Sequence, residues 1–288
     1  MPSKIKKEKG ETKDWLLINI KARKNQCPQH YIDAFEAIDK LRPTVKTAKD
    51  KEIAIKHMNS DSFGEFSWLK INLISYVVID PEAFYNLRTQ EDERIPWNSD
   101  YVSNKKEAEL YLYPNDHVIA VRKNDPISKN YILKFLEIAL WKVEPEGFEV
   151  DMVKSRAQID AILKAYALYS FEAKISFSNG IGGNTPLFSR AFDNRLNEMN
   201  PTTFEVKATG TKDSPLKVSE DGLIDAVANL SQRNGEITAR VSRTPDSPKE
   251  TISTARTPEV LKVTCESSGW GVSLGASIKK YFLRNGGK

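Results

Sequence analysis

The chain of 288 residues is poor in the side chains that metal and nucleophile chemistry require. Its two cysteines, Cys27 and Cys265, stand far apart with no Cys-x-x-Cys spacing, which argues against a disulfide framework and for reduced thiols. The three histidines, His30, His57 and His117, are equally scattered. No His-Glu-x-x-His or Cys/His cluster occurs, so neither a transition-metal site nor a hydrolytic triad is expected, and His117, in a hairpin turn, is expected to face solvent. No apolar run approaches the ~20 residues that a membrane-crossing helix needs. "WLLINI" (15–20) and "LISYVVID" (73–80) are strand-sized. A cytoplasmic protein without membrane contact is the expectation, and no cofactor is expected.

Nucleotide-binding signatures are missing as well. "SNGIGGNTP" (178–186) clusters Gly180, Gly182 and Gly183 after a strand-like run. A phosphate cradle needs a following lysine and hydroxyl, and a dinucleotide fingerprint needs a third spaced glycine. Neither is present. The stretch reads as a turn in which Asn184 or Thr185 caps the next helix, with an anion on that helix start left open. No Gly-x-Ser-x-Gly elbow or kinase lysine set occurs.

What is present is a globular balance, 40% hydrophobic and 28% charged residues, rather than the composition of a disordered chain. Residues 1–13 read as a flexible basic tail. "WLLINIKAR" reads as a strand. In "PQHYIDAFEAIDKLRP", Tyr31, Phe35, Ile38 and Leu41 form one apolar helix stripe. Alternation predicts strands in "KEIAIKHM" and "GEFSWLKINLISYVVID", the second bending near Asn72. "DPEAFYNL" predicts a short helical turn, and residues 88–106 a long irregular segment. "ELYLYPNDHVIAVR" predicts a hairpin turning at Pro114-Asn115-Asp116, and Ser128 a cap for an amphipathic helix. Beyond "EPEG", helices and strands alternate to a closing helix in "GASIKKYFLRN". The pattern predicts an α+β fold in two packed halves, 14–147 and 148–288, each a mostly antiparallel or mixed sheet covered by helices.

The order of "INI", "YIDAFEAIDK", "GEFSWLKINLISYVVID", a Pro-Trp pair in a polar loop, "YLYPNDHVIAVR", "FEVDMVKSRAQIDAIL" and "STARTPEVLKV" resembles a bacterial family designated domain of unknown function 4747. The resemblance runs from about Leu16 to Leu261 and departs from the family's pattern at "SNGIGGNT". It implies a context of mobile elements and anti-phage defence, and it supplies no catalytic residues. In size and character the chain is also similar to DNA-binding phage-exclusion proteins.

Three patterns carry possible chemistry. "TFEVKATG" holds a Glu-x-Lys triplet, and with an upstream aspartate this is the skeleton of a Mg²⁺-dependent nuclease: Asp193 and Glu205 would hold the metal and Lys207 would steady developing charge. "FEAKIS" repeats the triplet at Glu172 and Lys174, so an ordinary solvent-facing strand reads equally well. Glu91, Asp92 and Glu93 read as a solvated loop anchored by Trp97. Last come the basic groups: Lys21, Arg23 and Lys24 after the first strand, Arg122 and Lys123 after the hairpin, and Lys279, Lys280 and Arg284 on the closing helix. With a net charge of +4 they favour a non-enzymatic, sequence-independent nucleic-acid binder, DNA first. The alternatives are an interaction subunit, binding a partner protein or a second copy through the 88–106 loop or a sheet edge, and the nuclease.

Overall fold

The computed structural model describes residues 10–82, 84–95, 98, 101–176, 187–199, 201–265 and 269–285. In chain order the elements are β1 (Thr12–Ala22), α1 (Pro28–Leu41), β2 (Val45–Ala48), β3 (Lys51–Phe63), β4 (Phe66–Val77), β5 (Phe84–Asn86), β6 (Glu91–Glu93), β7 (Ser103–Tyr113), β8 (Val118–Arg122) and α2 (Lys129–Val143). There follow β9 (Phe148–Met152), α3 (Arg156–Leu163), β10 (Ala167–Ile175), α4 (Leu187–Met199), β11 (Phe204–Thr209), α5 (Leu223–Asn234), β12 (Gly235–Ser242), β13 (Glu250–Ser253), β14 (Val260–Thr264) and α6 (Trp270–Asn285). The fold is α+β, as the alternation of patterns implies.

An eight-stranded antiparallel sheet runs β14-β1-β8-β7-β4-β3-β2. Along one edge of β1, β14 pairs with residues 12–16 and β9 with residues 18–22. The large sheet therefore takes strands from both sides of the expected division at residue 147. Successive side chains of a strand point to opposite faces, and β1 is apolar on both. Leu16, Ile18 and Ile20 pack with Tyr31, Phe35 and Ile38 of α1 and Ile132, Phe135 and Leu136 of α2. Trp15 and Leu17 pack on the other side with Trp68, Tyr113 and the α6 residues Leu274 and Ile278. A continuous apolar run is what a strand covered on both faces requires.

The second sheet, β11-β10-β12-β13, has one covered face, where Phe171, Ala173, Ile175, Ile237 and Ala239 join Ile159, Leu196, Val227 and Leu230 of α3, α4 and α5. Opposite Asn72 the register of β3 against β4 shifts between Ile55 and His57, and the extra residue, Lys56, lies on β3, while β4 runs unbroken from Phe66 to Val77. "DPEAFYNL" departs from expectation: Phe84–Asn86 is a strand, paired with Glu91–Glu93 inside the segment expected to be irregular.

A polar seam joins the layers. Asn19 Nδ2 donates to the Arg233 carbonyl at 2.9 Å, and Arg233 Nη2 donates to the Asp116 carbonyl at 2.7 Å. The Arg233 guanidinium also lies 4.4 Å from the centroid of the Phe282 ring. Lys21 donates to the Ser176 hydroxyl, and its Nζ is 2.9 Å from Glu149 Oε2. His117 does not face solvent as expected. It takes a left-handed backbone (φ 57°) and its ring stacks at a tilt on Tyr31, 4.7 Å between centroids.

Candidate functional site

The nuclease skeleton does not assemble. Asp193 is 2% exposed on the helical side of the second sheet. Glu205 and Lys207 alternate with partly buried Phe204 and Val206 and point from the opposite, open face. There Lys174 Nζ is 3.2 Å from Glu205 and Lys207 Nζ 3.7 Å from Glu172, each pair directly opposed in the register of β10 and β11. The repeated Glu-x-Lys triplets form a cross-strand charge ladder, which is reason enough for them. The glycines at 180–183, with Asn184 and Thr185, lie outside the described residues, as do Pro96 and Trp97. The start of α4 is capped from a distance: Asp221 accepts from the Phe188 and Ser189 amides at 3.0 and 3.1 Å, and these bonds hold its carboxyl below the usual range.

The expected basic groups are dispersed and largely paired. Lys21 is 1% exposed, and burial pushes its ammonium below the usual lysine range, so it belongs to the seam and presents nothing to a phosphate at the surface. Arg23 Nη2 is 2.6 Å from Glu149, Arg122 Nη2 is 3.0 Å from Glu109, and Lys123 Nζ is 3.9 Å from Asp14. Lys279 is bonded to Glu65, while Lys24 and Lys280 are exposed. Arg284 lies in the last turn of α6. Arg122 sits beside Trp15 in the sheet, eight residues along β1 from Arg23, which sets the two groups about 26 Å apart at the usual rise per residue.

A different set of lysines does come together. Lys51 on β3 pairs across from Val77 on β4, and Lys106 on β7 pairs across from Ser75. Opposed residues in an antiparallel pair share a face, so Lys51, Val77, Ser75 and Lys106 lie in one row. Between Val77↔Ser103 and Ser75↔Lys106 the register shifts, with Asn104 and Lys105 facing Tyr76 alone. This is a β-bulge, and Asn104 carries it in the left-handed region at φ 48°. Such bulges re-aim side chains, and left-handed non-glycine residues cluster at functional sites.

Above this row stands the start of α2. Ser128 caps it, its hydroxyl accepting from the Tyr131 amide at 3.4 Å. The first turn contains no acid and begins with Lys129, the reverse of what the helix dipole favours. Sheet and helix enclose a cleft of about 410 Å³, lined by Lys51, Lys105 and Lys106, by Ser75 and Ser128, and by the apolar bodies of Val77, Pro126, Ile127 and Tyr131 among others. Among the described residues no carboxylate lines it. Lys105 has Glu107 at 2.8 Å outside the lining, whereas Lys51 and Lys106 have no ion-pair partner among the described residues. Ser75, in the wall, is 7% exposed.

The residue-level reading missed this set. Lys51, Lys105 and Lys106 belong to "KDKE" and "NKKEAE", which look like solvated strand ends. The available signal was the Lys-Lys pair at the head of an alternating strand, together with a helix start carrying lysine in place of acid.

The fold and the cleft define an α+β protein with a lysine-lined cleft at a helix start. The family model described as "Domain of unknown function (DUF4747)" matches residues 12–280, and the chain belongs to that family. Among curated proteins, none matches the sequence. No helix among the described residues is long and apolar enough to cross a membrane.

Proposed function

We propose that this protein binds nucleic acid, DNA first, through sequence-independent phosphate contacts and without cleaving it, and that the lysine-lined cleft is the main contact. The observation that carries this reading is the lining itself: three lysines and, among the described residues, no carboxylate, beside a helix start, whereas five of the eight basic groups expected to contact phosphate already have carboxylate partners. Lysines that already hold carboxylates gain little from exchanging them for phosphates, whereas unpaired lysines can release counterions. A cytoplasmic role in bacterial anti-phage defence or phage exclusion belongs to the same proposal, and its support is the resemblance described above.

The test is fluorescence anisotropy of labelled duplex and single-stranded probes across a salt series with Mg²⁺, followed by a gel of the same samples. Each phosphate contact contributes a slope of about −0.9 on duplex and −0.7 on single strands in log K against log salt. The double variant Lys51→Glu/Lys106→Glu is expected to lower affinity and to flatten the salt slope on single-stranded probes, with probes intact. Unchanged slope and affinity would remove the cleft from the interface.

A second reading, an interaction subunit, is favoured by the arm between β4 and β7. There Tyr85, Leu87 and Tyr101 are 55, 87 and 68% exposed, more apolar surface than one short hairpin ordinarily shows. A partner protein or a second copy would cover it. Absence of any nucleic-acid binding at low salt would move the assignment there.

A further inference from the structure

We infer that the cleft receives a terminal nucleotide, a single nucleoside unit bearing a phosphomonoester, rather than the interior of a strand. The inference rests on the reading of the cleft as a phosphate site and adds what kind of phosphate it takes.

Size is the first argument. A volume of about 410 Å³ falls at the small end of the roughly 300–1,000 Å³ range of small-molecule sites. A duplex, whose major groove alone is about 12 Å across, cannot enter it, while one unstacked nucleotide can. Charge is the second. An interior phosphodiester carries one negative charge, and a phosphomonoester carries about −1.5 to −2 at neutral pH with three strong acceptor oxygens. The cleft offers Lys51 and Lys106 without carboxylate partners, Lys105 at the bulge, and a helix start whose amide dipoles add positive potential. That is a set matched to a dianion.

The wall is the third argument, and it is independent of charge. Ser75, 7% exposed, sits on the helix-facing side of the sheet and lends the cleft a hydroxyl. A serine hydroxyl can donate to a phosphate oxygen, which adds a neutral donor beside the lysines. The remaining wall is apolar: Val77, Pro126, Ile127 and the Tyr131 ring. A bare phosphate has no use for such a wall, and a base or sugar does.

The experiment measures anisotropy with short single-stranded oligonucleotides ending in phosphate or in hydroxyl, and isothermal titration with dTMP, thymidine and inorganic phosphate, using the full chain. The expected result is an affinity about tenfold higher for the phosphorylated end, an advantage lost in Lys106→Gln and in Ser75→Ala. Lys106 is exposed and Ser75→Ala removes one oxygen, so both variants should keep the fold, which circular dichroism checks. Binding of dTMP but not thymidine, with the same Lys106 dependence, supports the inference and makes the free nucleotide the source. A gain confined to phosphorylated oligonucleotides supports it with the strand end as source. Inorganic phosphate binding as tightly as dTMP overturns it, since the apolar wall then contributes nothing. Equal binding of both oligonucleotide ends with no dTMP binding also overturns it, and if that binding is salt-sensitive the broader nucleic-acid reading stands. Conversely, dTMP binding without oligonucleotide binding keeps the inference and rejects the broader reading.

Discussion

Glu149→Gln tests whether charge pairing holds the seam between the layers. Glu149 is shared: Oε2 lies 2.9 Å from Lys21 Nζ and Oε1 lies 2.6 Å from Arg23 Nη2. At 2.9 Å and an effective dielectric of ~20, the Lys21 pair is worth about 6 kcal/mol of gross Coulomb attraction. Much of that offsets the desolvation of Lys21, and breaking a buried pair from one side ordinarily costs about 3–5 kcal/mol. Because the Glu149 side chain keeps 26% of its exposure, water screens the pair and the expected loss is nearer about 2–3 kcal/mol. For a chain of this size that lowers the melting midpoint by about 3–5 °C.

The pH dependence separates charge from packing. Burial already holds Lys21 below 10.5, and the Glu149 carboxylate is the largest influence raising it. In Glu149→Gln the folded-state value falls further, so the unfolded chain binds more protons than the folded one in the window below 10.5. Stability of the variant therefore recovers as pH rises toward that limit, and the gap to the parent narrows. Urea denaturation at neutral and alkaline pH, repeated in a Lys21→Met background, is the assay. In that background Glu149→Gln should cost much less. A loss that is the same at every pH and unchanged by Lys21→Met would refute the electrostatic account.

Burial first, and Arg233 second, hold the His117 ring neutral with a value lowered from 6.5 to about 4, so its contribution is complete above 6.5 and is lost as pH falls toward 4. Acid should remove up to about 2 kcal/mol after solvent screening, and His117→Asn, which tolerates the left-handed backbone, should flatten the profile; an unchanged profile in urea titrations would disprove this. On α6, a Cβ at Gly271 would lie 2.2 Å from Trp68 Cε2, and Tyr113 donates to the Gly271 carbonyl at 2.7 Å. Gly271→Ala should lift the helix off the sheet at a cost of about 1–3 kcal/mol, read as a lower melting midpoint, and an unchanged midpoint would show that α6 has room to spare.

What the sequence disclosed and what it withheld follow from the range of the interactions involved. The apolar stripe of α1 through Tyr31, Phe35 and Ile38, the Ser128 cap and the strands around Pro114 rest on contacts between near neighbours, and each stands where the pattern places it, although Leu41, expected in the stripe, is 54% exposed. The return of β14 to pair Thr264 with Thr12 is set by tertiary packing, and no local pattern announces it. Lys21 illustrates the same limit at one residue: its type argues for the surface, and only the arrival of Glu149 and Ser176 from distant strands makes its burial tolerable.

The cleft lies at the junction of these two regimes, and that explains why it was invisible in sequence. Each of its parts is local and unremarkable: a lysine at a hairpin end, a Lys-Lys pair, a serine on a strand, a capped helix. Their meeting depends on the register that opposes Lys51 to Val77 and Lys106 to Ser75, and on a bulge carried by Asn104 without any glycine to mark it. Asparagine tolerates φ 48°, so the bulge needs no glycine, whereas a lysine in the first turn of α2 runs against the helix dipole. Where a bulge and a lysine-headed helix start converge on one lysine-lined cleft, the cost of placing that lysine at the positive end of the helix is what the proposed phosphate ligand would offset.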